Sequence, residues 1–127
     1  MSVEPGVVLD AGAFIALERR TPRMVAFTKI VSDRRVPLFT SAGVVAQVWR
    51  GGSGAQAAVA FLLRRTRVFD LTLAHARIVG RMLGASRTAD PIDAHVVLLA
   101  RQHEATVLTS DPDDLVRLDP SLPVERI

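Results

Sequence analysis

The chain has 127 residues, of which 49% are hydrophobic and only 5% aromatic, and its formal net charge is +3 at pH 7. A chain of this length can build one core, so we expect a single domain that spans residues 1–127. The sequence has no cysteine, which excludes a disulfide scaffold, a zinc–thiolate site and thiol catalysis.

The N-terminal segment MSVEPGVVLD lacks the basic and apolar pattern of a signal peptide. No apolar stretch in the sequence approaches the length of about 18 residues that a transmembrane helix needs. We therefore expect a soluble, cytoplasmic protein with no membrane partner.

The first half of the chain alternates strand-length apolar runs with helical patterns. VVLD (residues 7–10) predicts a strand that leads directly into a helix, AGAFIALERR, and a second helix begins at Pro22. VPLFT (residues 36–40) predicts a second strand. Ser41 then suits the N-cap of a short helix, SAGVVAQVWRGG, which the following glycines end.

The second half of the chain continues the same alternation. The pattern predicts helices at 55–66, 73–86, 91–104 and 111–118, and strands at 67–72, 105–110 and 123–127. Strands that alternate with helices of 10–15 residues are typical of βαβ units. We therefore predict an α/β fold, a three-layer α/β/α sandwich with a central, mostly parallel sheet.

Two of the clearest predicted strands end in an aspartate. Asp10 closes VVLD, and Asp111 follows TVLTS. Ligand sites of open parallel sheets lie outside the carboxyl ends of the strands, so we expect these two carboxylates at the same edge.

The tetrad Asp-Pro-x-Asp occurs twice, at Asp90–Asp93 and at Asp111–Asp114. Helix capping alone accounts for both tetrads, because an acid at the N-cap and another in the first turn stabilise a helix start. Capping does not account for Asp10. A group of carboxylates at one edge needs a counter-cation, and oxygen ligands without cysteine favour Mg²⁺ or Mn²⁺.

Other catalytic chemistries find little support in the sequence. His75, His95 and His103 lie on separate helical segments, which argues against a histidine metal site. The chain has no Gly-x-Ser-x-Gly motif, and its GGSG segment does not match a phosphate-binding loop.

VVLDAGAFIALE, followed later by DPIDAHVVLLARQHEATVLTSDPDDL, resembles the PIN-domain ribonucleases, and the size of the chain resembles that of the VapC toxins of toxin–antitoxin pairs. The resemblance implies a PIN-like fold in which an acidic cluster binds Mg²⁺ or Mn²⁺ and supports hydrolysis of RNA phosphodiester bonds. It assigns the metal-binding and catalytic roles to Asp10, Asp93 and Asp111. Ser110, Asp90 and Asp114 match less closely and would stand behind these ligands or act only as caps.

The resemblance also implies partners: an RNA substrate, a cognate antitoxin and a second copy of the chain in a homodimer. The antitoxin would lay an apolar helix and a basic side chain into the acidic site. Phe14, Met24 and Phe27 would receive that helix if they are exposed, or belong to the core if they are buried. The arginine clusters are either solvated helix faces or contacts to the RNA backbone, so the RNA-binding residues stay unassigned.

One position departs from the family pattern. Most PIN-domain members have a glutamate where Gln47 stands in this chain. Gln47 is therefore a surface amide on a misaligned helix, a weakened contact to the metal or its water in an active nuclease, or a sign of lost activity. The last interpretation leaves an alternative function, a PIN-like module that binds RNA or a protein partner with little or no catalysis.

Two further classes of acidic α/β protein fit less well. A receiver-type phosphoacceptor domain has a lysine after a late strand, whereas the only lysine here is Lys29 in an early helix. A phosphohydrolase with a nucleophilic aspartate needs a second acid two residues later, and Gly12 occupies that position.

Overall fold

The computed structural model describes residues 5–127; the first four residues, which belong to the segment predicted not to be a signal peptide, lie outside the described part. The strands of the described part are β1 (Val7–Leu9), β2 (Leu38–Ser41), β3 (Thr66–Phe69), β4 (Thr106–Thr109) and β5 (Val124–Arg126). Its α-helices are α1 (Ala11–Glu18), α2 (Pro22–Arg34), α3 (Ala42–Val48), α4 (Ala57–Arg64), α5 (Leu73–Ser86), α6 (Pro91–His103) and α7 (Pro112–Leu118), with a 3₁₀ turn at Gly54–Gln56 before α4.

The five strands form one parallel sheet in the order β3-β2-β1-β4-β5. From β1 the chain moves outward to β2 and β3, then returns to the other side of β1 for β4 and β5. Right-handed crossovers place the helices of the outward path on one face and those of the return path on the other. The helix contacts agree, since α1 packs against α2, α3 and α4, whereas α5, α6 and α7 pack against one another. The predicted three-layer α/β/α sandwich is thus confirmed.

The element boundaries follow the caps in the sequence. Thr21 caps α2 with its side chain, and Ser41 accepts a hydrogen bond from the Gly43 N–H at the start of α3. The helix predicted from Ser41 onward is shorter than its pattern indicates, because Trp49 adopts an extended conformation and ends α3 after Val48. The predicted third strand shifts from residues 67–72 to Thr66–Phe69.

The apolar residues proposed to receive a partner helix are mostly core residues. Phe14 and Met24 are fully buried, and Phe27 is partly buried against the same core, so Phe14 and Met24 are core residues, which is one of the two alternatives that the sequence left open. Both side chains belong to the main core cluster, which lies on the buried sides of α1 and α2. The exposed apolar side chains of these helices are instead Ile15, Val25 and Ile30.

Between residues 5 and 127, no helix is both long and apolar enough to cross a bilayer.

Candidate functional site

The topology brings Asp10 and Asp111 to one point of the sheet. Asp10 follows β1 and Asp111 comes after β4, and these two strands pair directly, with Leu9 opposite Leu108. The chain leaves β1 in one direction and returns to β4 from the other, so the gap between them is the topological switch point of the sheet. In open parallel sheets, ligand sites lie at such points.

Thr109 links the two aspartates. The Thr109 hydroxyl donates a hydrogen bond to Asp10 Oδ2 at 2.9 Å, and the Thr109 hydroxyl oxygen accepts one from the Asp111 backbone N–H at 3.0 Å. Asp10 Oδ1 accepts from the Ala11 N–H at 2.8 Å, so both carboxylate oxygens of Asp10 have fixed partners. Sequence reasoning gave Thr109 no role; the available signal was a polar side chain inside the buried end of an apolar strand.

A close approach between backbones holds the two acidic segments together. A Cβ atom built on Gly12 would lie 2.1 Å from Ser110 Oγ and 2.9 Å from the Ser110 backbone nitrogen. Any residue other than glycine at position 12 would therefore push the segment before Asp111 away from the start of α1. Ser110 itself is exposed.

The start of α6 lies at the same edge, because α6 runs back along the sheet before β4 begins. Asp90 caps this helix, and its Oδ1 accepts from the Ile92 and Asp93 N–H groups at 2.9 and 3.3 Å. The fully buried His95 fixes the helix to the end of β2 through a hydrogen bond between its Nδ1 and Ser41 Oγ at 2.8 Å. The Asp90 carboxylate is thus occupied by capping, whereas Asp93 has a half-buried carboxylate in the first turn.

The second tetrad behaves differently from the first. The Asp111 side chain makes no capping hydrogen bond to α7, although Asp111 occupies the N-cap position. A hydrogen bond with the neighbouring Asp114 carboxyl, followed by repulsion from the same group, raises the pKa of Asp111. The exposed Asp111 carboxylate therefore faces another acid rather than a helix N-terminus.

The carboxylates of this edge repel one another. Burial raises the pKa of Asp93 to about 7, and repulsion by Asp90, Asp10, Asp114 and Asp111 adds to the shift. Burial likewise raises the pKa of Asp10, although the hydrogen bonds from Ala11 and Thr109 oppose the shift. Repulsion of this kind is relieved by a bound cation.

A cavity of about 330 Å³ opens beside these acids. Its acidic lining consists of Asp90, Asp93 and Asp114, and its basic lining of Arg87 and Arg117. Carboxylates bind cations and guanidinium groups bind phosphates. A site with both can therefore accept a cation together with a phosphate that coordinates it.

Over residues 5–127, no three histidine, cysteine, aspartate or glutamate side chains are close enough together to form a ready-made metal cage. The donor set nevertheless fits Mg²⁺ or Mn²⁺, because the converging groups are carboxylates, and Mg²⁺ is commonly held by one or two carboxylates with water and substrate phosphate. The side chains of Asp93 and Asp111 make no capping hydrogen bond. Asp10 does cap α1, because its Oδ1 accepts from the Ala11 N–H, so the expectation that capping does not account for Asp10 was wrong.

The Gln47 side chain is exposed on α3 and makes no hydrogen bond to another described residue. It lies one helical turn after Gly43, whose Cα faces Ile92 at the start of α6, so it shares the α6-facing side of α3. A buried amide is found elsewhere in the described chain. Gln56 is 7% exposed, and its side chain bonds to Arg50, Gly52, Val48 and Glu18.

The family model of the PIN domain matches residues 7–119. A search of curated proteins by sequence gives no significant match.

Several solved structures share the fold. The VapBC2 structure from Rickettsia felis, bound to a DNA fragment from its promoter, gives a TM-score of 0.69 at 15% identity and covers 95% of this chain and 98% of that chain. FitAcB from Neisseria gonorrhoeae gives a TM-score of 0.64 at 20% identity, with 93% and 95% coverage. PAE2754 from Pyrobaculum aerophilum gives 0.67 at 14% identity, with 94% and 83% coverage.

Proposed function

The chain belongs to the PIN-domain family, and from this premise we propose that it is a metal-dependent endoribonuclease that acts as the toxin of a toxin–antitoxin pair. The observation that supports the activity most directly is that Asp10 and Asp111 follow the paired strands β1 and β4, while Asp93 lies near enough to be repelled by both. The similarity in fold to VapBC2 and FitAcB supports the toxin role.

Asp10, Asp93 and Asp111 are the residues that would hold Mg²⁺ or Mn²⁺. Such a cation supplies Lewis-acid activation of water and neutralises the charge that develops on a phosphodiester. Thr109 keeps the Asp10 carboxylate in place, since its hydroxyl donates to Asp10 Oδ2. Arg87 and Arg117, on the wall of the acidic cavity, are placed to bind the phosphate oxygens of the substrate.

The same proposal includes a cognate antitoxin and a homodimer in the cytoplasm. A groove about 560 Å³ in volume runs beside α1 and is lined by Ile15, Ala16, Arg19, Ser110 and Ile127, among others. It adjoins the acidic edge through Ser110, so a partner helix seated there would reach the site that it has to block.

The alternative is a PIN-like module that binds RNA or a protein without cleavage. The exposed amide of Gln47, in the place of a family glutamate, favours it, because an amide lowers the negative charge available to a cation.

An RNA cleavage assay separates these two functions. We expect the protein to cut single-stranded and loop-containing RNAs in Mg²⁺ or Mn²⁺, to lose this activity in a chelator and to regain it when metal is restored. Asp10→Asn should be inactive, whereas Asp70→Asn, a change at an exposed acid outside the site, should match the wild type. If the protein binds RNA but leaves it intact with either metal, the nuclease proposal is wrong and the binding module is the better description.

Gln47→Glu should tighten Mg²⁺ binding roughly threefold to tenfold, because it adds a carboxylate on the α6-facing side of α3. Isothermal titration calorimetry with Mg²⁺ measures the effect. Gln102→Glu, at an exposed amide in the last turn of α6, is the matched control and should leave the affinity unchanged. Equal affinities for Gln47→Glu and the wild type would show that position 47 does not reach the metal or its water.

A further inference from the structure

A cluster of arginines lies at the amino ends of β2 and β3, which is the end of the sheet opposite the acidic site. We call it the arginine edge; it consists of Arg34, Arg35, Arg64, Arg65 and Arg67, all exposed. Helices α2 and α4 both end there, at Arg34 and Arg64. Pairing of Leu38 with Thr66 joins the amino ends of β2 and β3 and so brings the two groups of arginines together.

The charge of the arginine edge is not balanced by the protein. Within the described chain the ion pairs are Arg23–Glu125 and Arg101–Asp119, and neither involves an arginine of this edge. The C-termini of α2 and α4 contribute about half a negative charge each, and the neighbouring Asp33 adds one more. After the two helix dipoles and Asp33 are subtracted, the arginine edge keeps a net charge of about +3.

A cavity of about 260 Å³ at this edge has the donors for an oxyanion. Its polar lining is Ser32, Arg35 and Arg65. The Ser32 hydroxyl oxygen is buried and has no hydrogen-bond partner among residues 5–127. The Arg65 guanidinium lies 3.8 Å from the centre of the Phe61 ring, which limits its freedom before any ligand binds. Two guanidinium groups match the oxygens of a phosphate group.

The neighbouring aromatic residues favour a nucleic-acid strand over a single phosphate ion. Arg67 lies 4.7 Å from the centre of the Phe69 ring, and Phe69 neighbours a stack of Phe39 on His103, with ring centres 4.3 Å apart. Five guanidinium groups exceed what one phosphate can use, and arginines paired with aromatic rings are typical of surfaces that bind single strands.

We propose that the arginine edge binds the backbone of single-stranded RNA, with one phosphate in the cavity formed by Ser32, Arg35 and Arg65. The inference deepens the proposed function and rests on it, since it places a segment of the substrate away from the scissile bond. The strands between the two edges have three or four residues, or about 13 Å at about 3.3 Å per residue. An RNA that reaches both edges therefore extends several nucleotides beyond the site of cleavage.

The test measures RNA binding without cleavage. A fluorescently labelled oligouridylate of ten nucleotides is titrated with the full chain in a chelator at several salt concentrations, and anisotropy is recorded. The variant Arg35→Asn/Arg65→Gln removes two charges, and asparagine is chosen because residue 35 has a φ of 53°, which asparagine tolerates. We expect binding to weaken about tenfold, and the slope of log K against log salt to fall by about 1.4, since each phosphate contact contributes about 0.7.

Two controls make the result specific. Arg77→Gln/Arg81→Gln removes the same charge from exposed positions of α5 and should change binding and slope little. Arg35→Lys/Arg65→Lys keeps the charge and should preserve most of the slope. Equal losses from the edge variant and the α5 variant would overturn the inference, and so would tighter binding of duplex DNA than of RNA. A wild type that binds RNA through this edge but never cuts it with metal would contradict the proposed nuclease alone.

Discussion

Asp93→Asn is expected to abolish RNA cleavage and, in the same molecule, to stabilise the metal-free fold. Cleavage should fall about 100-fold or more, because the variant lacks a ligand of the cation that would stabilise charge in the transition state. Without metal, the Asp93 carboxylate repels Asp10, Asp90, Asp111 and Asp114, and removing its charge should gain roughly 1–2 kcal/mol after allowance for solvent screening. For a chain of this size that gain raises Tm by about 4 °C or more.

The stability gain depends on pH in a defined direction. The pKa of Asp93 is about 7 in the folded chain and 3.8 as its ordinary value, so the folded state binds the proton more tightly. Wild-type stability therefore falls as pH rises from about 4 to about 7, and the advantage of Asp93→Asn is full above pH 7 and absent near pH 4.

Thermal unfolding of wild type and variant in a chelator, at pH 8 and at pH 4.5, measures this difference. Added Mg²⁺ should raise the Tm of the wild type and leave that of Asp93→Asn nearly unchanged. Asp113→Asn, at an exposed acid of α7, is the matched control. An Asp93→Asn protein that is less stable than the wild type at pH 8 would show that Asp93 supports the fold rather than a cation.

Gln56→Leu is expected to destabilise the fold by about 3 kcal/mol, or roughly 12 °C in Tm. The Gln56 side chain accepts from the Arg50 and Gly52 N–H groups at 2.6 and 3.2 Å and donates to the Val48 carbonyl at 2.6 Å. Leucine would leave these backbone groups without their partner, at about 1–3 kcal/mol for each group that stays unsatisfied.

The sequence supplies a matched control for this change. Gln47→Leu makes the same substitution nine positions earlier, on an exposed side chain with no hydrogen bond in the described chain, and should alter stability by no more than about 0.5 kcal/mol. Glu18→Gln keeps an acceptor for the fourth bond of Gln56 and should cost little. Urea denaturation gives the three values, and equal stabilities for Gln56→Leu and Gln47→Leu would contradict the role assigned to Gln56.

Periodicity and caps in the sequence were sufficient to predict the fold class. Alternating apolar runs and helical patterns gave the parallel sheet between helix layers, and the Asp-Pro pairs marked the starts of α6 and α7. The strand ends at Asp10 and Asp111 were predictable because Asp10 directly follows the buried run of β1 and Asp111 comes two residues after that of β4. The assignment of Asp10, Asp93 and Asp111 as metal ligands stays a prediction.

Tertiary contacts account for what the sequence concealed. Nothing local distinguishes Gln56 from Gln47, since their difference in burial arises from the loop that folds over α1 and from Glu18 on that helix. The link from Thr109 to Asp10 joins residues 99 positions apart. The exposure of Ile15 and the burial of Phe14 likewise depend on where the sheet meets α1, which the nearly uniform apolar character of this helix does not reveal.

The pairing of β1 with β4 has a consequence for synthesis of the protein on the ribosome. Asp10 emerges early, but the strand that completes its surroundings and the Asp111 that follows it are made about a hundred residues later. A nascent chain therefore has no assembled site before β4 and Asp111 have been synthesised, and a contact this distant in sequence forms slowly. The proposed nuclease would in this way be unable to cut RNA before that point of its synthesis.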